Sequence, residues 1–266
     1  MKTPGILILI LVFILNGFGP IPVQAQEIVL PVVGTRIALS SSFVPAHLQG
    51  ITINPKEPFK FEFLIHRSDD PLSDGQKKAE YKKLVEYFLA ALTVPEKDQW
   101  VNLSPYEKER IIPKEFGSTE MGRDLLAQDY LLKQIASSLM YPESGLGKKF
   151  WDEVYRKAGN VQIPVNTFNK VWIVPDEAVV YESGNTAYIL KSHLKVMLEE
   201  DYLASQKNIV ETSTVSSRRQ AVEASEAMRT IIIPELQREV NEGKNFALLR
   251  QVYSGMILAT WYKRSL

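Results

Sequence analysis

The stretch GSTEMGRDLLAQDYLLKQ, Gly117 to Gln134, brings Glu120, Arg123 and Asp124 together and adds Asp129 and Lys133 among leucines. Paired carboxylates can cleave a glycosidic bond, one as acid and the other as base or nucleophile, when they flank an open groove ~5–9 Å apart. Glu120, Asp124 and Asp129 are therefore the candidate catalytic residues. Arg123 and Lys133, two cations, and Trp100, an indole between helices, are the candidate ligand-binding residues. A structural role competes with this reading. Helical spacing puts Met121, Leu125, Leu132, Ile135 and Leu139 on one face, and Leu126, Tyr130, Leu131 and Met140 widen that face past half the circumference. Glu120 falls in the first turn, where the helix dipole favours an acid, and Arg123 and Gln134 keep to the narrow polar face. Asp129 and Lys133 fall inside the apolar arc, spaced i,i+4 with the acid first, the favourable order. A buried charge needs a partner, so the spacing predicts an Asp129–Lys133 ion pair on a central helix.

Other patterns that could carry chemistry stop short. ESGLGKKF echoes a phosphate loop at Gly147-Lys148, but Pro142 stands where a glycine is required and Lys149 where a hydroxyl is required. SHLK, Ser192 to Lys195, matches the Ser-x-x-Lys of penicillin-interacting enzymes without the downstream motifs that complete such a site. His47, His66 and His193 are the only imidazoles, and none belongs to a His-Glu-x-x-His pair. The sequence contains no cysteine, which excludes disulfides and thiolate chemistry. No metal and no cofactor are expected. Trp151, Trp172 and Trp261 lie on apolar stripes and read as core.

The elements that position these residues read as α+β: helices packed with short antiparallel strands. Pro31, Pro45, Pro55 and Pro58 exclude long helices near the start of the domain. FKFEFLIH alternates Phe59, Phe61, Phe63 and Ile65 against polar neighbours, a strand with one buried face, and GITIN is its companion. KKAEYKKLVEYFLAALTV sets Tyr81, Leu84, Val85, Phe88, Leu89 and Leu92 at helical spacing. Ser104, Pro105 and Glu107 mark a short helix start. GKKFWDEVYRKAG predicts another helix, closed at Gly159. A three-stranded meander is expected near 170–190, over Lys170–Val174, Ala178–Glu182 and Thr186–Leu190, with turns at Pro175-Asp176 and Gly184-Asn185. A helix through VMLEEDYLAS and a mobile loop near 206–217 follow. Two helices close the chain, Arg218–Glu242 interrupted at Pro234, and NFALLRQVYSGMILATWYK with Leu249, Val252, Tyr253, Met256, Ile257 and Trp261 in one stripe.

The chain has 266 residues, 45% hydrophobic and 23% charged, with a formal net charge of zero. That is long enough for a real core, and the neutral balance argues against nucleic acid as a partner. Lys2, the apolar run Ile6–Leu15 and the Val23-Gln24-Ala25 ending form a signal-peptide pattern. The run is about half of the ~20 residues that span a bilayer. The expectation is residues 1–25 as signal peptide, 26–266 as one α+β domain without a transmembrane span, and a periplasmic or extracellular location after cleavage near Ala25.

WVNLSPYEKERIIP, TEMGRDLLAQDYLLKQ and NTFNKVWIVPDEAVVYE, with LPVVGTRIAL, GKKFW and GMILATWYK, resemble a group of exported bacterial proteins over nearly the whole mature chain. The resemblance implies export but no fold, substrate or catalytic residue. Members of that group continue past the ILATWYK segment, so it also implies a shorter relative. The leading functional expectation is a non-catalytic envelope or surface protein that binds or assembles with an envelope protein or a glycan. The alternatives are an envelope polysaccharide or peptidoglycan hydrolase using the paired carboxylates, and a small-ligand binding module.

Overall fold

The computed structural model describes residues 30–94, 117, 119–158, 171–207 and 225–265. Strands β1 (His47–Asn54) and β2 (Glu57–His66) form a hairpin. Its turn is helped by Asn54 Oδ1, which accepts the Lys56 N–H at 3.0 Å, a side chain imitating a backbone turn. Phe61, Phe63 and Ile65 are half-buried as the alternation predicts. Phe59 departs from it and is 84% exposed, because it falls in the register shift between the Ile53–Phe61 and Asn54–Glu57 pairs, where the ladder is irregular near the hairpin tip.

Helix α1 (Asp74–Thr93) begins at Ser73, whose hydroxyl and the Gln76 side chain form a reciprocal capping box. Helix α2 (Glu120–Leu139) is the charged stretch; Thr119 caps it by accepting the Gly122 N–H at 3.0 Å. Helix α3 spans Gly145–Ala158. Strands β3 (Val171–Ser183) and β4 (Thr186–Leu198) follow as one long hairpin, and the sheet order is β2-β1-β4-β3, all antiparallel.

This hairpin corrects the expected meander. The turn at Gly184-Asn185 forms, with Gly184 at φ 58, which favours glycine. No turn forms at Pro175-Asp176; the strand runs through, and a register shift between Pro175 and Glu177 absorbs the extra residue as a bulge. Pro175 can sit there because β3 is an edge strand, so the missing N–H costs no pairing.

Helix α4 (Glu199–Lys207) leaves β4 directly. Residues 228–232 form one π-type turn that runs into α5 (Ile233–Glu242), with Pro234 in its first turn. The interruption expected at Pro234 is thus a change of helical pitch, because proline cannot supply the regular N–H. Helix α6 (Ala247–Ser265) carries the predicted stripe, and Leu258, Ala259 and Tyr262 are buried as well, so it is the central helix of the core. Gly255 allows α1 to approach closely: a Cβ there would stand 3.3 Å from the Phe88 N.

Helices α1 and α6 cover one face of the sheet, and their side chains join one continuous apolar cluster. Beyond its pairing with β1, β4 is sealed by α5 instead of a strand. The Leu194 N–H donates to Asn241 Oδ1 at 2.9 Å and the Val196 N–H to Gln237 Oε1 at 2.7 Å, while Asn241 Nδ2 donates to the Leu194 carbonyl at 2.8 Å. Glu239 is fully buried on the same helix. It receives the Ser40 N–H at 2.9 Å and Asn245 Nδ2 at 2.8 Å, which fastens the segment before β1. The expectations for residues 1–29, Trp100, the Ser104 helix start, Gly159, Lys170, the loop at 208–217 and the helix start at 218–224 lie outside the described residues; Gln206 and Lys207 end α4.

Candidate functional site

The charges of α2 divide into two clusters. Asp124, 3% exposed, faces α1. The Tyr87 hydroxyl donates to its Oδ2, and the Lys83 ammonium lies 2.9 Å from the same oxygen. Lys83 also reaches Glu120 Oε1 at 3.4 Å, so one ammonium serves both carboxylates. Burial, with the Asp124 charge adding to it, pushes the Tyr87 phenol well above its ordinary range, so it remains a donor. Tyr87 and Lys83 were not singled out from sequence. The available signal was their own i,i+4 spacing, which puts both on one side of α1.

Asp129 is 6% exposed and pairs with Lys133, as the spacing predicts. Burial pushes its carboxyl up to about 6, against the opposing hydrogen bond and charge of Lys133. Arg123 is exposed, Glu120 is half-exposed and Lys133 half-buried. The fold thus brings Glu120 and Asp124 together around Lys83, but it sets Asp129 and Lys133 apart in a separate pair.

A glycosidase needs its two carboxylates open to a sugar from opposite sides. Here Asp124 is closed by a phenol and an ammonium from α1, and Asp129 by its own helix neighbour. Neither of the two described clefts is lined by Glu120, Asp124 or Asp129.

One Asp–His pair resembles part of a catalytic triad. Asp176 Oδ2 lies 2.9 Å from His193 Nδ1 on the bulged part of the long hairpin. The remaining ring nitrogen, Nε2, is already met by Gln237 Nε2 at 3.1 Å. A nucleophile would need that nitrogen. Ser192 and Lys195 lie in β4 and not at a helix start, which removes the context of the Ser-x-x-Lys pattern. His47 and His66, distant in sequence, become cross-strand partners with rings stacked 4.9 Å apart. No metal-binding group of three or more His, Asp or Glu occurs among the described residues.

The larger cleft lies where α6 leaves the sheet. It has a volume of about 890 Å³ and sits between the tip of the β1–β2 hairpin, the inward side chains of β3, and the end of α6. Ile53, Pro58, Val180 and Ile257 supply apolar walls, and Glu182 and Asn185 supply polar groups. The Trp261 indole also lines it, and its N–H is buried without a hydrogen-bond partner. The stripe of α6 predicts Trp261 as core, and its 9% exposure agrees. The cleft itself could not be read from sequence, because its walls come from three distant segments.

Comparison with known protein families, characterised proteins and solved structures finds no match to this chain. Among the described residues, no helix is long and apolar enough to cross a membrane.

Proposed function

We propose that the protein is an exported, non-catalytic binding protein and that the cleft at the end of α6 receives a small ligand with an apolar body. The observation that carries this reading is the cleft: about 890 Å³, apolar on several sides, with a few polar groups converging on it. Ligand sites are typically ~300–1,000 Å³ and built in that way. Export is supported by the signal-peptide pattern of Lys2 to Ala25 and by the resemblance to exported bacterial proteins. The hydrolase alternative draws no support from α2, whose buried carboxylates are closed by their partners.

The test uses anilinonaphthalene sulfonate as the probe, with its fluorescence enhancement and its quenching of tryptophan emission as readouts. Saturable binding to the wild type is expected. Ala178→Arg, which fills the cleft from an exposed position on β3, should abolish it while leaving the thermal midpoint unchanged. Equal binding by the folded variant would remove the cleft as the site.

A further inference from the structure

The face of the sheet turned away from α1 and α6 carries two adjacent rows of unlike chemistry. The first row crosses all four strands in register: Leu64 opposite Gly50, Gly50 opposite Tyr188, and Tyr188 opposite Tyr181. Leu64 is 47% exposed and Tyr181 54%. Gly50 is the gap in this row, and the neighbouring ring fills it. A Cβ on Gly50 would stand 3.0 Å from Tyr188 Cδ1 and 3.4 Å from Cε1, so the Tyr188 ring leans across the bare backbone of β1. The second row, two residues along each strand, is polar throughout: Glu62 opposite Thr52, Thr52 opposite Thr186, and Thr186 opposite Ser183. The Thr52 and Thr186 hydroxyls are 2.9 Å apart.

We propose that this face is a glycan-binding platform for an uncharged pyranose chain. A pyranose ring is apolar on its faces and ringed by hydroxyls. The two tyrosines offer amphipathic rings for the apolar faces, and the adjacent row offers hydroxyls and one carboxylate to the sugar hydroxyls. Glu62 is the only charge in the two rows, which disfavours an anionic polymer. The size of the patch selects against larger partners. Three inter-strand spacings by about four residues give the two rows a footprint of roughly 200 Å², which the adjoining Leu190, 66% exposed on β4, widens by only one side chain, against ~800 Å² per side in a stable protein interface. A peptide is disfavoured too: backbone groups in mid-sheet are already paired, so no strand can be added there. The platform is independent of the cleft, because side chains alternate along β3: Val180 and Glu182 face the cleft, and Tyr181 faces the opposite side.

The experiment titrates the purified chain with cellohexaose and with the β-1,4-linked N-acetylglucosamine hexamer, read by saturation-transfer NMR and calorimetry. At least one of the two oligosaccharides should bind. Tyr181→Ala and Tyr188→Ala should each weaken binding by roughly tenfold, the scale of one lost aromatic contact. Tyr188→Phe should retain binding, which separates stacking from a folding defect, and Ala178→Arg in the cleft should have no effect. The proposal is overturned if neither oligosaccharide binds the wild type, or if binding survives both alanine changes. Loss of binding in Ala178→Arg alone would also overturn it, because the sugar would then occupy the cleft. Concentration-dependent self-association abolished by Tyr181→Ala, without sugar binding, would assign the face to a second copy instead.

Discussion

Asp124 and Asp129 lie five residues apart on α2 and are almost equally buried, at 3% and 6% exposure, yet their environments differ in kind. Asp124 is held from another helix: the Tyr87 hydroxyl and the Lys83 ammonium both come from α1. Its charge therefore specifies how two helices pack. Asp129 is met by Lys133 of its own helix, a contact that α2 makes wherever it docks. That local partner does not offset burial, and the carboxyl is pushed up to about 6. A buried ion pair is weak evidence for stability by itself. What separates the two is whether the partner is tertiary.

The contrast can be broken experimentally. Asp124→Ala leaves the Tyr87 phenol without its acceptor and the largely buried Lys83 with only its longer contact to Glu120, and urea unfolding should show a loss of about 3–5 kcal/mol. The next effect is in pH. The folded Asp129 binds its proton more tightly than the unfolded chain, whose carboxyl titrates near the usual ~3.9. Its contribution is therefore fully present below that value and is lost as pH rises through about 6. The wild type should lose about 2 kcal/mol relative to Asp129→Asn between pH 4 and pH 7. His47 titrates with the opposite sign, since burial lowers its pKa, so the difference between the two proteins is the informative quantity. Tyr87→Phe removes one hydrogen bond to a charged group and should cost roughly 1.5–3 kcal/mol, sharpening the claim that Asp124 needs both partners.

The sequence disclosed what depends on period and spacing. The α+β class, the apolar arc of α2 apart from Leu126, which is 46% exposed, the Asp129–Lys133 pair and the stripe of α6 all follow from side-chain repeats within one element. It did not disclose what depends on distant elements meeting. The apolar stripe of α1 accounts for that helix without Tyr87, and only the position of α2 makes its hydroxyl necessary. Pro175-Asp176 misled for a related reason. The dipeptide is a turn signal locally, but an edge position and a bulge let the strand continue. The cleft and the two rows on the outer sheet face are likewise products of pairing order, which no local pattern encodes.

The most direct measurement is the unfolding free energy of Asp124→Asn and Asp129→Asn, side by side in urea at pH 7. Both changes remove a charge and keep the shape. Asp124→Asn should lose roughly 2–4 kcal/mol, because Lys83, largely buried, keeps only its longer 3.4 Å contact to the half-exposed Glu120. Asp129→Asn should stay within about 1 kcal/mol of the wild type or exceed it, because the Lys133 side chain is 23% exposed and its ammonium can reach water. Equal losses for the two would contradict the distinction between tertiary and local pairing. No loss for either would contradict the structural role of the α2 charges altogether and return Glu120, Asp124 and Asp129 to the position of reactive residues.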